Sequence, residues 1–324
     1  MDPILELRDV VKHYPAHRAV DGVSLQVPRG SLHALLGPSG CGKTTTLRLI
    51  AGFEEPTAGE VWLSGVCVNR LRPYERNVST VFQSYALFPH LTVRENVEFG
   101  PRRKKSSGIE RRAREALELV QLTGKESRYP AQLSGGERQR VAVARSLALE
   151  PDVLLLDEPL AALDPKLRRQ VRVELKQLQA RVGITFLFVT HDQEEALSLA
   201  DRIAVMHQGK IEQVGAPEEV YLRPRTRFVA GFLGAVNWID GAGVRPEALR
   251  ISAGPPPEDA PWRRAQVAGS VFLGHCVQVR ARLESGEEAV VDAARDGARF
   301  QEGEWVYLWW REGDEMRFEV KDGK

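Results

Sequence analysis

The sequence lacks long apolar runs: its most continuous stretches, ITFLFV at 184–189 and VLLL at 153–156, fall well short of the ~18–20 residues of a membrane-spanning helix. It is poor in cysteine, and Cys41, Cys67 and Cys276 show neither pairing nor CxxC spacing, which suits a reducing compartment rather than a disulfide framework. It lacks an excess of either charge: 45 Lys and Arg against 44 Asp and Glu leave a formal +1, so nothing general draws it to nucleic acid or acidic lipid. Its first residues, MDPILELRDVVKHY, interrupt their apolar residues with charges, unlike an export signal, and we expect the chain to stay where it is made, the cytosol. Any work at a membrane is then that of a peripheral subunit. No repeat of 20–50 residues occurs, which excludes solenoids and propellers.

What is present is enough chain for two domains, at 324 residues. Up to 232, short apolar runs mix with helical periodicity; beyond it come short alternating strands and a proline-rich insert, GPPPEDAP at 254–261, so we expect domains at 1–232 and 233–324. Period-two alternation at 5–7, 23–27 and 60–65 predicts half-buried antiparallel strands, whereas 32–36, 153–156 and 185–189 are continuously apolar, as in a parallel sheet covered on both faces. Asp164 and Pro165 open a helix that Gly183 closes, with Leu167, Val171, Leu175, Leu178 and Val182 on one face. The basic stretch 101–115 reads as a solvated loop and helix face.

The chemistry begins at Gly37-Pro38-Ser39-Gly40-Cys41-Gly42-Lys43-Thr44, a GxxxxGK[ST] pattern between an apolar run and a predicted helix ending at Gly52. Backbone N–H groups of such a loop curl around phosphate oxygens at the positive end of the helix, while Lys43 neutralises the outer phosphates and the Thr44 hydroxyl can ligate Mg²⁺. The fold class is therefore α/β, a P-loop NTPase core of parallel sheet flanked by helices, with an antiparallel β subdomain and a helical subdomain. A second apolar run ends in Asp157-Glu158, where one carboxylate can serve the metal shell and the other polarise a water. Gln83 and His191 also follow apolar runs, and ligands of open parallel sheets bind at the strands' carboxyl ends, so these residues should converge on one edge. Leu133-Ser134-Gly135-Gly136-Glu137 opens a helical run and reads as a second anion site, which suggests a head-to-tail dimer with two ATPs between subunits. Cys41, at a helix N-terminus, is expected to have a depressed pKa and nucleotide-protectable alkylation, against the alternative of an inert small residue.

The set GPSGCGKTT, Gln83, LSGGERQR, LLLDEP, AALD at 161–164 and His191 resembles the nucleotide-binding subunits of ABC transporters, from residue 4 to about 232. The resemblance implies that Tyr14 stacks on adenine and that Gly37 to Thr45, including Lys43, Thr44 and Thr45, grip ATP. It further implies Mg²⁺ held by Thr44, Gln83 and Asp157, with Glu158 as general base aided by Gln83 and by His191 on the γ-phosphate. Ser134, Gly135 and Gly136 would complete the site of the opposite protomer, with Asp164 at the dimer interface. Glu137 and Ala161 depart from the commonest pattern, Gln and Ser respectively.

The segment 81–102 carries Tyr85, Leu87 and Phe88, expected to be exposed for a membrane subunit's short helix. The tail, with FLGAVNWI at 232–239 and GVRPEAL at 243–249, is similar to the OB-like regulatory domain of importer ATPases, a small β-barrel in which Trp305, Tyr307, Trp309 and Trp310 divide between core and surface. An OB fold can bind nucleic acid, but glutamate-rich strands argue against it, and dimer support or regulation is the expected role. QSYALFPH and TVRENVEFG look most like spermidine and putrescine importers, with iron(III), sulfate and sugar importers as alternatives. The partners implied are a second copy, two transmembrane permease subunits and, indirectly, a solute-binding protein, at the cytoplasmic face of the inner membrane. A soluble ABC-type ATPase of repair or ribosomes is the rival reading; such proteins carry coiled-coil arms or two cassettes, and here there is one phosphate loop and one LSGG element.

Overall fold

Alternation at the start of the chain builds a long hairpin, β1 (Pro3–Tyr14) and β2 (His17–Pro28), paired antiparallel from Pro3↔Pro28 to Tyr14↔His17. The computed structural model describes residues 3–161 and 163–318. After the hairpin come β3 (Leu32–Leu36), every residue of it buried, and α1 (Lys43–Ala51). β4 (Ala58–Leu63) and β5 (Val66–Cys67) extend the hairpin into a four-stranded antiparallel sheet, β2-β1-β4-β5. β6 (Val78–Val81) precedes three helices that pack on one another, α2 (Val93–Arg103), α3 (Ile109–Leu119) and α4 (Gly135–Leu147). The chain returns through β7 (Val153–Asp157), α5 (Pro165–Val182), β8 (Thr185–Thr190), α6 (Gln193–Leu199), β9 (Arg202–His207) and β10 (Lys210–Gly215).

The central sheet is ordered β10-β9-β3-β8-β7-β6, parallel except for β10 at its edge. Burial of β3, β7 and β8 along their whole apolar runs accounts for the absence of alternation in them. One apolar core joins the two sheets through α1: it includes Leu7, Val20 and Leu25 from the hairpin, Leu47 and Ile50 of α1, and Leu35, Leu155 and Leu187 of the central sheet. The far end of α1 is closed by Arg76, only 2% exposed, which donates to the carbonyls of Leu49 at 2.7 Å and Ile50 at 2.9 Å. A cation there satisfies helix-end carbonyls and suits the negative end of the dipole. On α5 the expected stripe is present: Val171, Leu175 and Leu178 are buried, and Asp164 caps the helix by accepting from the amides of Lys166 and Leu167.

Contacts divide the chain at Pro217. The second unit holds α7 (Pro217–Leu222), α8 (Arg227–Phe232), the hairpin β11 (Asn237–Ile239) and β12 (Ala242–Val244), and five further strands. These are β13 (Arg250–Ser252), β14 (Trp262–Phe272), β15 (Cys276–Leu283), β16 (Glu288–Ala294) and β17 (Trp305–Trp309), in a curled antiparallel sheet ordered β13-β17-β14-β15-β16. The contact division thus lies before the 232/233 point expected from the sequence pattern. Arg245, 4% exposed, bonds the carbonyls of Tyr221, Ala230 and Ala235 and so ties the two short helices to the β unit. In β17 the inward positions are Val306 and Leu308; of the four aromatics, Trp310 is buried and Trp305 is exposed.

Candidate functional site at the carboxyl edge of the parallel sheet

Four neighbouring parallel strands, β3, β8, β7 and β6, end at the same edge, and each delivers one element of the site. From β3 the chain turns through residues 37–42 into α1. Gly42, at φ +105°, is the helix cap, and a Cβ there would lie 2.2 Å from the Ala19 carbonyl of β2. Only glycine fits this approach. Ser39 and Gly40 stand exposed at the crest of the loop, while Gly37, Cys41, Gly42 and Lys43 are buried. The Lys43 ammonium donates to the carbonyls of Gly37 at 2.7 Å and Pro38 at 2.9 Å, so the cation is held inside the loop curve. The Thr44 hydroxyl donates to Asp157 Oδ1 at 3.4 Å, and Thr45 is half-buried in the first turn. The loop, its cation and the start of α1 make a cradle of the kind that phosphate groups occupy.

β7 ends in Asp157, and Glu158 follows with φ +45°, uncommon for a residue with a Cβ, its amide bonded to the Val189 carbonyl of β8 at 3.1 Å. That backbone turn aims the Glu158 carboxylate between two neighbours. Oε2 accepts from Gln83 Nε2 at 3.2 Å, and Oε1 lies 3.0 Å from His191 Nδ1. Burial, and then the adjacent Glu158 charge, push the Asp157 carboxyl above its ordinary value, against the opposing pull of Thr44, Arg48 and Lys43. A half-buried carboxylate next to a hydroxyl is a hard-oxygen donor pair that fits Mg²⁺, a cation that keeps waters and phosphate oxygens as its other ligands. Among the described residues there is no group of three or more His, Cys, Asp or Glu that could hold a metal by protein ligands alone.

His191 rests on a buried network that sequence reasoning missed. The Thr190 hydroxyl donates to Glu195, 2% exposed, at 2.6 Å and accepts from the Asp192 amide, and Asp192 caps α6 and pairs with Arg168. The Asp192-x-x-Glu195 spacing of a helix start was the signal available for it.

The remaining expected residues have partners of their own. Tyr14, at the β1–β2 turn, has its ring 5.5 Å from that of His17 and 5.1 Å from the Lys12 ammonium. Ser134 caps α4, and Glu137 reciprocates by accepting from the Ser134 amide at 2.7 Å. Lys125 pairs with Glu137, and this contact, followed by the Ser134 amide, holds the Glu137 carboxyl down to about 2. Where the commoner Gln would stand, Glu137 therefore acts as a charged half of the helix cap. Hypothetical Cβ atoms at Gly135 and Gly136 would sit 3.5 Å from Leu163 and Leu167, so this turn lies against the end of α5 that Asp164 caps. Among the described residues no hydrogen bond or ion pair joins Ser134, Gly135, Gly136 or Asp164 to the Gly37–Thr45 loop or to the Gln83–Glu158–His191 cluster.

Two expectations are corrected. Cys41 is 4% exposed, and burial pushes its thiol up, outweighing the effect of Lys43, so it is not the depressed-pKa thiol inferred from its place at a helix start. Tyr85 is not an exposed docking residue but is 7% exposed, because residues 85 and 86 turn back in the left-handed region. Leu87 and Phe88 are half-buried, and Phe88 packs on Phe99 with ring centroids 4.4 Å apart.

A sequence model of the ABC transporter family matches residues 20–161, and one of the TOBE domain matches 242–318. The chain is 46% identical to the spermidine/putrescine import ATP-binding protein PotA of Acidothermus cellulolyticus, over 95% of this chain and 92% of that protein. It is 44% identical to the protein of the same name from Bacillus cereus, over 98% and 99% respectively. Among solved structures, cbiO1 of Clostridium perfringens, part of the ABC transporter complex cbiONQ, aligns with TM-score 0.63 at 30% identity, covering 68% of this chain and 91% of that one. A dimeric ATP-binding cassette in a post-hydrolysis state, bound to ADP and phosphate, aligns at 0.58 and 34% identity, over 66% and 98%. With its glycine cradle, paired carboxylates and LSGG helix on this sheet, and a TOBE domain in its second unit, the chain belongs to the ATP-binding subunits of the ABC transporter family.

Proposed function

We propose that this chain is the ATP-hydrolysing subunit of an ABC importer of polyamines, spermidine and putrescine. In this reading it works as a homodimer on two transmembrane permease subunits at the cytoplasmic face of the cell membrane, served indirectly by a solute-binding protein. No helix among the described residues is long and apolar enough to cross a membrane. Residues 1–232 carry the ATP chemistry, and 233–324 support the dimer or regulate it.

The observation that carries the catalytic half is the Glu158 carboxylate held between Gln83 and His191 beside Asp157. Gly37 to Thr45 wrap the phosphates, with Lys43 as their cation, and Tyr14 stacks on adenine. Glu158 takes a proton from the attacking water, whose oxygen bonds to the γ-phosphorus as the bond to the β–γ bridging oxygen breaks, leaving ADP and phosphate. Gln83 orients the water, and His191 holds the γ-phosphate and fixes the base. Thr44, Asp157 and Gln83 would hold Mg²⁺, which when bound neutralises phosphate charge. Ser134, Gly135 and Gly136 close over the nucleotide of the opposite protomer, with Asp164 at the interface.

A groove lined by the exposed rings of Phe53, Tyr74 and Phe82, with Arg103 and Lys104 at its edge, supports docking of a permease helix. In this reading the permease helix docks in that groove rather than on the buried Tyr85. The cargo reading is supported by relatives named as spermidine/putrescine import proteins at 44–46% identity over nearly whole chains. The test is ATPase activity of the chain co-expressed with the permease and binding-protein subunits encoded beside it, with and without spermidine. Stimulation by spermidine is expected; stimulation by iron(III), sulfate or a sugar instead would overturn the cargo, and no turnover at all would overturn the ATPase reading.

A further inference from the structure

The segment after Gln83 is strained. Tyr85 and Ala86 are consecutive residues with side chains at φ +61° and +44°, in the left-handed region that disfavours a Cβ. The Tyr85 ring is buried, and its hydroxyl has no hydrogen-bond partner. Within the segment itself, the Tyr85 amide bonds the Phe82 carbonyl at 2.8 Å, which is one turn's worth of support for two disfavoured residues. Support also arrives from outside, from the last turn of α4. The Arg145 guanidinium donates to the Ala86 carbonyl at 2.6 Å and to the Tyr85 carbonyl at 2.9 Å, and lies 5.7 Å from the Phe88 ring. One planar fork thus grips the carbonyls of both strained residues, a task its geometry suits and a lysine's does not.

We propose that Arg145 is a positioning residue of the hydrolytic site: it clamps residues 85–86 in their left-handed turn and thereby keeps Gln83 on Glu158. The clamp also puts α4 between two parts of the molecule. The helix begins after the Ser134 cap and carries Arg145 in its last turn, so a rod about 17 Å long connects the LSGG turn to the Gln83 segment. Movement of that turn is transmitted as a pull on the Tyr85 and Ala86 carbonyls. The inference rests on the ATPase reading above for its kinetic consequence, and on the geometry alone for the clamp.

The test uses the full chain with Arg145→Ala, the milder Arg145→Lys, and Arg145→Ala combined with Ala86→Asn, since Asn tolerates the left-handed region. Two readouts are taken: steady-state phosphate release with the KM for ATP, and hydrogen–deuterium exchange of the peptide 82–90. Arg145→Ala is expected to lower kcat about tenfold or more with KM within about twofold, and to speed exchange at 82–90 by at least about tenfold. Arg145→Lys should fall between it and the native chain, and adding Ala86→Asn should recover at least about threefold in kcat and slow the exchange again. Loss of ATP affinity in step with kcat, unchanged exchange at 82–90, or no recovery from Ala86→Asn would each overturn the clamp. A native chain that binds but never hydrolyses ATP would instead overturn the ATPase reading, and the exchange result would still decide the clamp.

Discussion

Replacing Glu158 by glutamine removes the basic carboxylate, and with it the charge that raises Asp157, while keeping the side chain's shape. The carboxylate lies 3.0 Å from His191 Nδ1 and accepts from Gln83 Nε2 at 3.2 Å. Glutamine has the same shape, offers its oxygen to Gln83 and its NH₂ to His191, which accepts at Nδ1 in the Nε2–H tautomer. The residues that grip phosphate, from Gly37 to Thr45, are untouched. Proton transfer by a positioned base contributes roughly 10²–10⁴ in rate, or about 2.7–5.5 kcal/mol of activation free energy. Phosphate release by the purified Glu158→Gln chain should therefore fall at least about a hundredfold, with ATP affinity, measured with a fluorescent analogue, within about twofold. A kcat within about threefold of native, or an affinity that falls in step with kcat, would refute the assignment of Glu158 as base.

Gly42→Ala drives a Cβ to 2.2 Å from the Ala19 carbonyl at φ +105°, so urea unfolding should show a loss of about 3 kcal/mol or more and ATP binding should vanish. Gly40→Ala, at φ +78° with nothing within 4 Å of the new Cβ, should cost only about 1 kcal/mol; equal losses in the two variants would contradict the reasoning. His33, fully buried, has its pKa brought down to about 4, chiefly by burial and next by Arg202, so the folded protein keeps it neutral while the unfolded chain takes up a proton below about 6.5. Its contribution is complete above that pH and is lost as pH falls toward 4, on the order of 2–3 kcal/mol between pH 7.5 and 4.5; His33→Leu should shrink the shift in urea midpoint, and an unchanged shift would exclude His33 as its source. Maleimide at pH 7.5 should label the exposed Cys67 at least about a hundredfold faster than buried Cys41, with or without ATP, as read by peptide mass spectrometry. Rapid, ATP-protected labelling of Cys41 would restore the activated-thiol reading.

Much of this was legible in the sequence because it is local. The buried strands announce themselves as continuous apolar runs, α5 by its cap and stripe, and the loop before α1 by a contiguous motif whose Gly37 and Gly42 answer to close backbone approaches. What escaped is pairing between distant residues, Arg76 with the end of α1 and Arg145 with residues 85 and 86, neither of which has a period or a spacing. The Thr190–Glu195 pair was within reach of the helix-start spacing but was not drawn from it. Tyr85 was misread because an exposed aromatic was inferred as though the segment ran straight, and two left-handed residues fold it inward. Cys41 was misread because the helix-end rule concerns charge, and burial prevailed. The buried Arg245 guanidinium likewise gathers two short helices whose composition gives no sign of it.

The carboxylate of Glu158 touches Gln83 on one side and His191 on the other, and the strands that precede these residues, β6 and β8, flank its own. It is in effect a vernier reading of how three ribbons slide past each other. A slip of a few tenths of an ångström between them alters one or both contacts long before the sheet loses cohesion. Substitutions of buried residues within these strands, at Leu155, Phe186 or Phe188, should therefore appear first as slow turnover in a chain that still melts cooperatively. In such a molecule catalytic rate is a finer gauge of packing than thermal stability.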